Sequence, residues 1–199
     1  SGLKAGTFRY QATFVPTDSA KYAGSNSAVS IAVEEKVVDS TEGSLTWGVK
    51  ESFRIYVVGG IAKGKISSSK GAKQAKNNGV FTYPQAKGGT WNGKTGTVQY
   101  AGNVNFFGHS GEMNVNLANP VVQVTSSKTA LVKVPFGPKN QLITLAKIDL
   151  SSAKKTQLKG DAVRYSAATA TLTEDGAKKF FVNNTGEGPA GQFYTAGTQ

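Results

Sequence analysis

Residues 44–66 read SLTWGVKESFRIYVVGGIAKGKI, and their apolar spacing is the clearest in the chain. Val49, Phe53, Tyr56 and Val57 fall at i, i+4, i+7 and i+8, the spacing of one helical face. The spacing predicts an amphipathic helix, with Thr46 as its N-cap and Gly59-Gly60 as its stop. Ser52 and Tyr56 are four apart, so such a helix carries them on one face, one turn from each other. Two readings of Tyr56 stand at this point. Either it is a core phenol bonded to a carbonyl, or its hydroxyl and that of Ser52 are aimed at a ligand.

The chain around this stretch has 199 residues, enough for one ordinary domain or one and a fragment. Hydrophobic residues at 38% and charged residues at 18% exclude a disordered tail, and no run approaches a membrane span. High glycine with frequent Thr, Val and Tyr favours β structure. The net charge of +11 is almost all lysine, since Arg9, Arg54 and Arg164 are the only arginines. Nucleic-acid readers lean on arginine and interleaved aromatics, so a nucleic-acid partner is not expected. Solubility, attraction to an acidic surface or guidance of a small dianionic ligand fits the lysines better. Cysteine is absent, which excludes disulfides, thiolate catalysis and Cys-ligated metals. The opening SGLKAGTF reads as the middle of a domain, so a chain cut from a longer exported protein, its signal removed, is expected.

Residues 1–36 read as a separate piece. Phe8, Tyr10, Ala12 and Phe14 alternate, PTDSAKY supplies a turn, and Val29, Ile31 and Val33 alternate again. Two strands cannot bury a face alone. Residues 37–42 read as a linker. After the expected helix, residues 67–79 are expected to be a Ser/Lys/Gly/Asn-rich loop. Strands are then expected at 80–83, 96–100, 103–107, 113–117, 121–125, 130–134, 142–149 and 163–172. Residues 173–181, TEDGAKKFF, read as a short helix capped by Thr173, acidic at its start and basic at its end. The expected architecture for 43–199 is mainly β, a β-sandwich or flattened barrel with two short helices at one edge.

Few residues could carry chemistry. A Ser/His/Asp system would need His109, the one histidine, but the adjoining Ser110 is sterically wrong for it. His109 lies in residues 103–117, NVNFFGHSGEMNVNL, between Gly108 and Gly111 at an expected tight turn. It is a polar turn residue or part of a wall for a flat aromatic ligand, since Phe106 and Phe107 precede it. By parity Phe107, His109 and Met113 are expected to share a face. For haem, the axial donor is left open among His109, Met113 and seven tyrosines.

Residues 43–66, GSLTWGVKESFRIYVVGGIAKGKI, resemble the opening of the HtaA-type haem-binding domain of actinobacterial haem uptake. Residues 104–115, VNFFGHSGEMNV, resemble that family's second motif, and residues 172–198, LTEDGAKKFFVNNTGEGPAGQFYTAGT, its closing segment, in the family's order. Residues 5–35 resemble the last two strands of a bacterial immunoglobulin-like repeat. The HtaA resemblance implies that ferric haem, iron protoporphyrin IX, binds through Tyr56 as metal ligand, with His109 hydrogen-bonded to the phenol. It places Ser52 near a haem edge or propionate, and offers Phe53, Phe107, Phe193 and Tyr194 as cofactor-binding aromatics. It implies haem capture and transfer in bacterial iron acquisition rather than catalysis. The implied partners are haem, host haemoproteins such as haemoglobin, and a downstream haem receptor or neighbouring haem-binding domain. The implied location is extracellular, at the cell surface or cell wall. The alternative is a cell-surface adhesion module for a glycan or host protein; a catalase-like haem enzyme is disfavoured, because one histidine leaves no further distal group.

Overall fold

A computed structural model describes residues 6–33, 43–180, 194 and 196–199. The chain divides into two compact units, Ser1–Lys36 and Val37–Gln199. The first is a hairpin of β1 (Gly6–Phe14) and β2 (Ser25–Val33), antiparallel in continuous register with Tyr10 opposite Val29. Its turn is tied by Asp18, whose carboxylate accepts the amides of Ala20 and Lys21.

In the second unit β3 (Ser44–Trp47) leads into α1 (Glu51–Val58). There follow β4 (Lys65–Ser69), β5 (Lys73–Gln74), β6 (Phe81–Gly89), β7 (Gly96–Tyr100) and β8 (Asn103–Gly108). Next come β9 (Met113–Ala118), β10 (Val121–Val124), β11 (Thr129–Phe136) and β12 (Gln141–Asp149). The last strands are β13 (Lys154–Gln157), β14 (Val163–Ser166) and β15 (Thr169–Leu172). Seven strands run in the order β15-β12-β11-β10-β7-β6-β3, with β5 also on β6, as an antiparallel half-barrel. A three-stranded sheet, β4-β8-β9, and a two-stranded ribbon, β13-β14, complete the unit. The mainly β expectation holds, with helical turns at the start and end of the unit.

The core lies between the half-barrel and the three-stranded sheet, with α1 in the same layer as the latter. Phe53 and Val57 of α1, Phe81 and Tyr83 of β6, and Val104 and Phe106 of β8 are buried together. Phe106 links the layers: its ring is 5.1 Å from Phe53 and 5.7 Å, edge-on, from Phe81. Burying each such side chain contributes about 1.5–3 kcal/mol. Tyr83 keeps its hydroxyl satisfied by donating to the Leu117 carbonyl at 3.3 Å, and burial pushes that phenol above its ordinary range.

The helix expected between Thr46 and Gly59 starts later than its cap predicted and spans eight residues. Leu45 and Trp47 alternate inward from β3, whose backbone is satisfied by β6 in register Ser44↔Pro84 to Trp47↔Phe81. Thr46 is therefore not a cap; its hydroxyl lies 3.4 Å from that of Thr82 across the strands. Val49, at φ 55°, turns the chain, Lys50 is the N-cap residue, and Gly59 closes the helix as expected. The expected loop 67–79 carries most of β4 and all of β5. The expected strand 163–172 is two strands in different sheets, broken at Ala167 with φ 57°. Thr173 does cap its turn, accepting the Gly176 amide at 3.0 Å, and Lys178 and Lys179 pair with Glu174 and Asp175.

Arg54 holds α1 in place from its buried side. It is 6% exposed, and its guanidinium donates to the carbonyls of Asn78, at 2.9 Å, and Gly48. Both acceptors lie in irregular backbone that no strand satisfies, and a side chain at Gly48 would meet the guanidinium at 2.7 Å. Arg54→Leu strips both carbonyls of their donor and is expected to cost about 2–4 kcal/mol, read as a lowered denaturant midpoint at unchanged slope.

Candidate ligand site at the end of the three-stranded sheet

The α1 helix fixes Tyr56 by burying its neighbours. Phe53 and Val57 point into the core, while Tyr56 is half-buried at the core's edge. Facing it, β8 ends at Gly108 and the chain makes a single 3-10 turn, His109–Gly111, before β9. His109 at φ 49° and Ser110 at φ 56° both occupy the left-handed region, which costs a non-glycine residue of order 1 kcal/mol each. That conformation brings the imidazole back over α1. The Tyr56 hydroxyl lies 2.5 Å from His109 Nε2, with ring centroids 5.7 Å apart and planes at 45°. With the phenol protonated it donates to Nε2, which places the imidazole's own proton on Nδ1.

The pair is held by a close crossing of backbones that spacing did not reveal. The segment after α1 passes over the end of β8, where the His109 amide donates to the Ala62 carbonyl and the Gly64 amide to the Val57 carbonyl, both at 2.8 Å. A Cβ on Gly64 would stand 2.0 Å from the Phe107 carbonyl oxygen and 2.7 Å from that of Val57. A Cβ on Gly108 would meet the terminal methyl of Met113 at 2.6 Å. The available signal was the glycines in GGIAKGK and FFGHSG, which read only as helix stop and turn.

Ser52 is exposed one turn before Tyr56 and shares a side-chain hydrogen bond with Tyr194. Tyr194 returns to this site because residues 197 and 198 exchange backbone bonds with Leu172, and Lys50 Nζ donates to the Gln199 carbonyl at 2.8 Å. Burial raises the Tyr194 phenol above its ordinary range, nearby Tyr56 adds to that, and the Ser52 bond opposes both. Phe53 lies beneath them, edge-on to Tyr194 at 5.8 Å. The structure thus gathers Ser52, Phe53, Tyr56, His109 and Tyr194. Phe193 lies outside the described residues.

Phe107 stands apart. Gly108 opposes Met113 in the ladder, so Met113 shares the inner face with Gly108 and Phe106 while Phe107 faces outward. The expectation that Phe107 and Met113 share a face fails because parity inverts across this hairpin. The Phe107 ring lies under the turn, 3.7 Å from a Cβ position at Gly111, with Lys65 Nζ 5.8 Å from its centroid. Sequence reasoning also missed exposed apolar side chains close to Tyr56 in the chain. Ile55, Val58 and Ile61 are 59%, 47% and 76% exposed on α1 and the turn after it, beside Tyr56 in sequence.

A family model described as HtaA ("Htaa") matches residues 42–199. Among solved structures, the C-terminal domain of HtaA from Corynebacterium glutamicum is 23% identical, covers 78% of this chain and 89% of its own, and superposes with a TM-score of 0.59. The N-terminal domain of the same protein is 25% identical, covers 81% and 92%, and has a TM-score of 0.54. No curated protein matches.

Because the protein has one histidine, its imidazole nitrogens form an unambiguous NMR probe of the Tyr56 bond. Gly64→Ala is expected to force the crossing apart and shift the His109 Nε2 resonance toward that of Tyr56→Phe. An unmoved resonance in a folded Gly64→Ala protein would show that the crossing does not set the pair.

Proposed function

The chain belongs to the HtaA family, which is associated with haem binding, and from that membership we propose that it binds ferric haem through Tyr56 with His109 bonded to the phenolic oxygen. The observation that carries the reading is the 2.5 Å contact between Tyr56 Oη and His109 Nε2. The residues suit the group. Ferric iron takes a hard anionic oxygen donor, and a phenol becomes one only when a base accepts its proton. His109 is that base: Tyr56 passes its proton to Nε2, and the imidazolium donates back to the phenolate oxygen. Ile55, exposed and one turn from Ser52 on α1, offers apolar surface for a macrocycle, and Phe53 supports the site from below. Ser52 and Tyr194 supply hydroxyls for the propionates.

The product is transport. Haem is captured from a host haemoprotein and passed to a neighbouring haem-binding domain or a receptor, at the bacterial surface, with no reaction catalysed. Phenolate ligation suits release, because its hold weakens when iron is reduced. Residues 1–36, read as two immunoglobulin-like strands, fit a larger multidomain surface protein.

Hemin titration of the apo protein tests the assignment. The parent is expected to show a Soret band with the charge-transfer bands of phenolate-bound ferric haem, and Tyr56→Phe to lose those bands. His109→Ala is expected to keep the ligand type while weakening affinity by roughly 10–100-fold, the usual cost of removing a ligand's supporting partner. Tyr56→Phe binding as tightly as the parent with an unchanged spectrum would overturn the assignment.

A further inference from the structure

The outward face of β4-β8-β9 includes none of Ser52, Phe53, Tyr56, His109 and Tyr194 and has an unusual composition. Register places Ser67 opposite Asn105 and Ser69 opposite Asn103 on one side, and Asn105 opposite Asn116 and Phe107 opposite Asn114 on the other. These residues share one face, because residues directly opposite in a ladder project to the same side. The inner face at the same strands holds Val104, Phe106, Val115 and Leu117, all buried. The outer face is therefore two serines, four asparagines, Phe107, Lys65 and Ala118.

Asparagine is depleted in strands, where threonine and other β-branched or aromatic residues are enriched. Four asparagines on one face of two adjacent strands run against local preference, a departure that tends to mark function. The amides are also organised. Asn105 Nδ2 donates to Asn114 Oδ1 at 2.7 Å and to Asn116 Oδ1 at 3.1 Å, and Asn103 Nδ2 donates to Asn116 Oδ1 at 3.1 Å. Among the described residues this leaves the Nδ2 donors of Asn114 and Asn116, Oδ1 of Asn105 and both serine hydroxyls without protein partners. Asn103 Oδ1 is shielded from solvent and has no partner among them either.

Charge identifies what such a face fits. In a chain of net charge +11, its described residues include one cation, Lys65, which lies over Phe107, and no acid. An anion or nucleic acid would find no cluster of cations among these residues, and an apolar peptide no row of apolar side chains. A neutral polyol matches: each of its hydroxyls both donates and accepts, as a fixed row of amides and serines requires. Because the ladder already holds the amides, little rotamer freedom is lost on binding. We propose that the outer face of β4-β8-β9 binds an extended, uncharged oligosaccharide, a second binding function independent of the Tyr56 site.

The test is calorimetric titration of the full chain with cellohexaose, chitohexaose and mannohexaose, at low and high salt. Binding of at least one is expected, with an affinity that salt leaves unchanged. Asn116→Asp keeps the acceptor that Asn103 and Asn105 use but replaces the free donor by a charge. It is expected to weaken binding by roughly tenfold or more, one lost hydrogen bond to a neutral ligand plus desolvation of the new charge. An Asn105→Ala/Asn116→Ala double variant, checked for an unchanged melting temperature, should abolish it. Hemin binding should be the same in Asn116→Asp as in the parent, and Tyr56→Phe should leave sugar binding intact, so this proposal and the haem reading fail separately. No heat with any of the three sugars, binding that high salt removes, or binding that Asn116→Asp leaves unaltered would overturn the proposal.

Discussion

The site depends on one steric constraint: at Gly64 the chain leaving α1 crosses the end of β8 too closely for any side chain. Two backbone bonds made there, from the amides of His109 and Gly64, fix the loop and the helix to each other. Each is worth only about 1 kcal/mol net. Their effect is geometric, since they bring two flexible tips, a phenol and an imidazole from residues 53 apart, to a separation of 2.5 Å. The rest of the core acts through this crossing. Phe106 packs between Phe53 and Phe81, so α1 cannot shift along the sheet without opening the contact between the layers. Arg54 anchors the other side of the helix to Gly48 and Asn78, which leaves Tyr56 little room to retreat.

Legibility in the sequence followed the strength of the local signal. Strands with clean alternation, such as Gly96–Tyr100 and Met113–Ala118, stood at or within a residue of their expected bounds. Thr173 was legible as a cap because its acidic and basic turn residues agree with it. The start of the helix was misplaced because Thr46 was read as a cap, when Leu45 and Trp47 are two apart and the pairing with β6 makes that segment a strand. Strand β4 was hidden because its outward residues are Lys65, Ser67 and Ser69, which look like loop, and its inward signal is only Ile66 and Ser68. Nothing local reveals a strand whose partner lies nearly forty residues later. The Tyr56–His109 pairing was legible only through family resemblance. Spacing along a helix can aim a hydroxyl, but it cannot say what lies opposite.

Exposure sharpens the distinction between a phenol locked in the core and one left at its edge beside a base. Tyr83 shows the first: fully buried, donating to a main-chain carbonyl, with no ionisable neighbour in its bond. Tyr56 shows the second: half-buried and bonded to a side chain that can hold its proton. A phenol of the first kind has no route to the anion, because burial alone pushes ionisation away. A phenol of the second kind has a base at hand.

The departures from local preference gather on one hairpin. In β8 and β9 the inner residues obey the rules for a buried strand face, while the turn places a histidine and a serine in the left-handed region and the outer face carries four asparagines. Stability alone would favour glycine or asparagine in the turn and threonine or valine on the strands. The two departures use different means. The strained turn is sustained by the His109–Ala62 bond from a neighbouring segment, whereas the outer amides are sustained by one another. The hairpin's apolar side is what permits both, since Val104, Phe106, Val115 and Leu117 hold its register whatever the other side presents. A fold that concentrates its packing on one face of a ladder leaves the opposite face and the tip free for recognition, and here both are occupied by residues that packing did not choose.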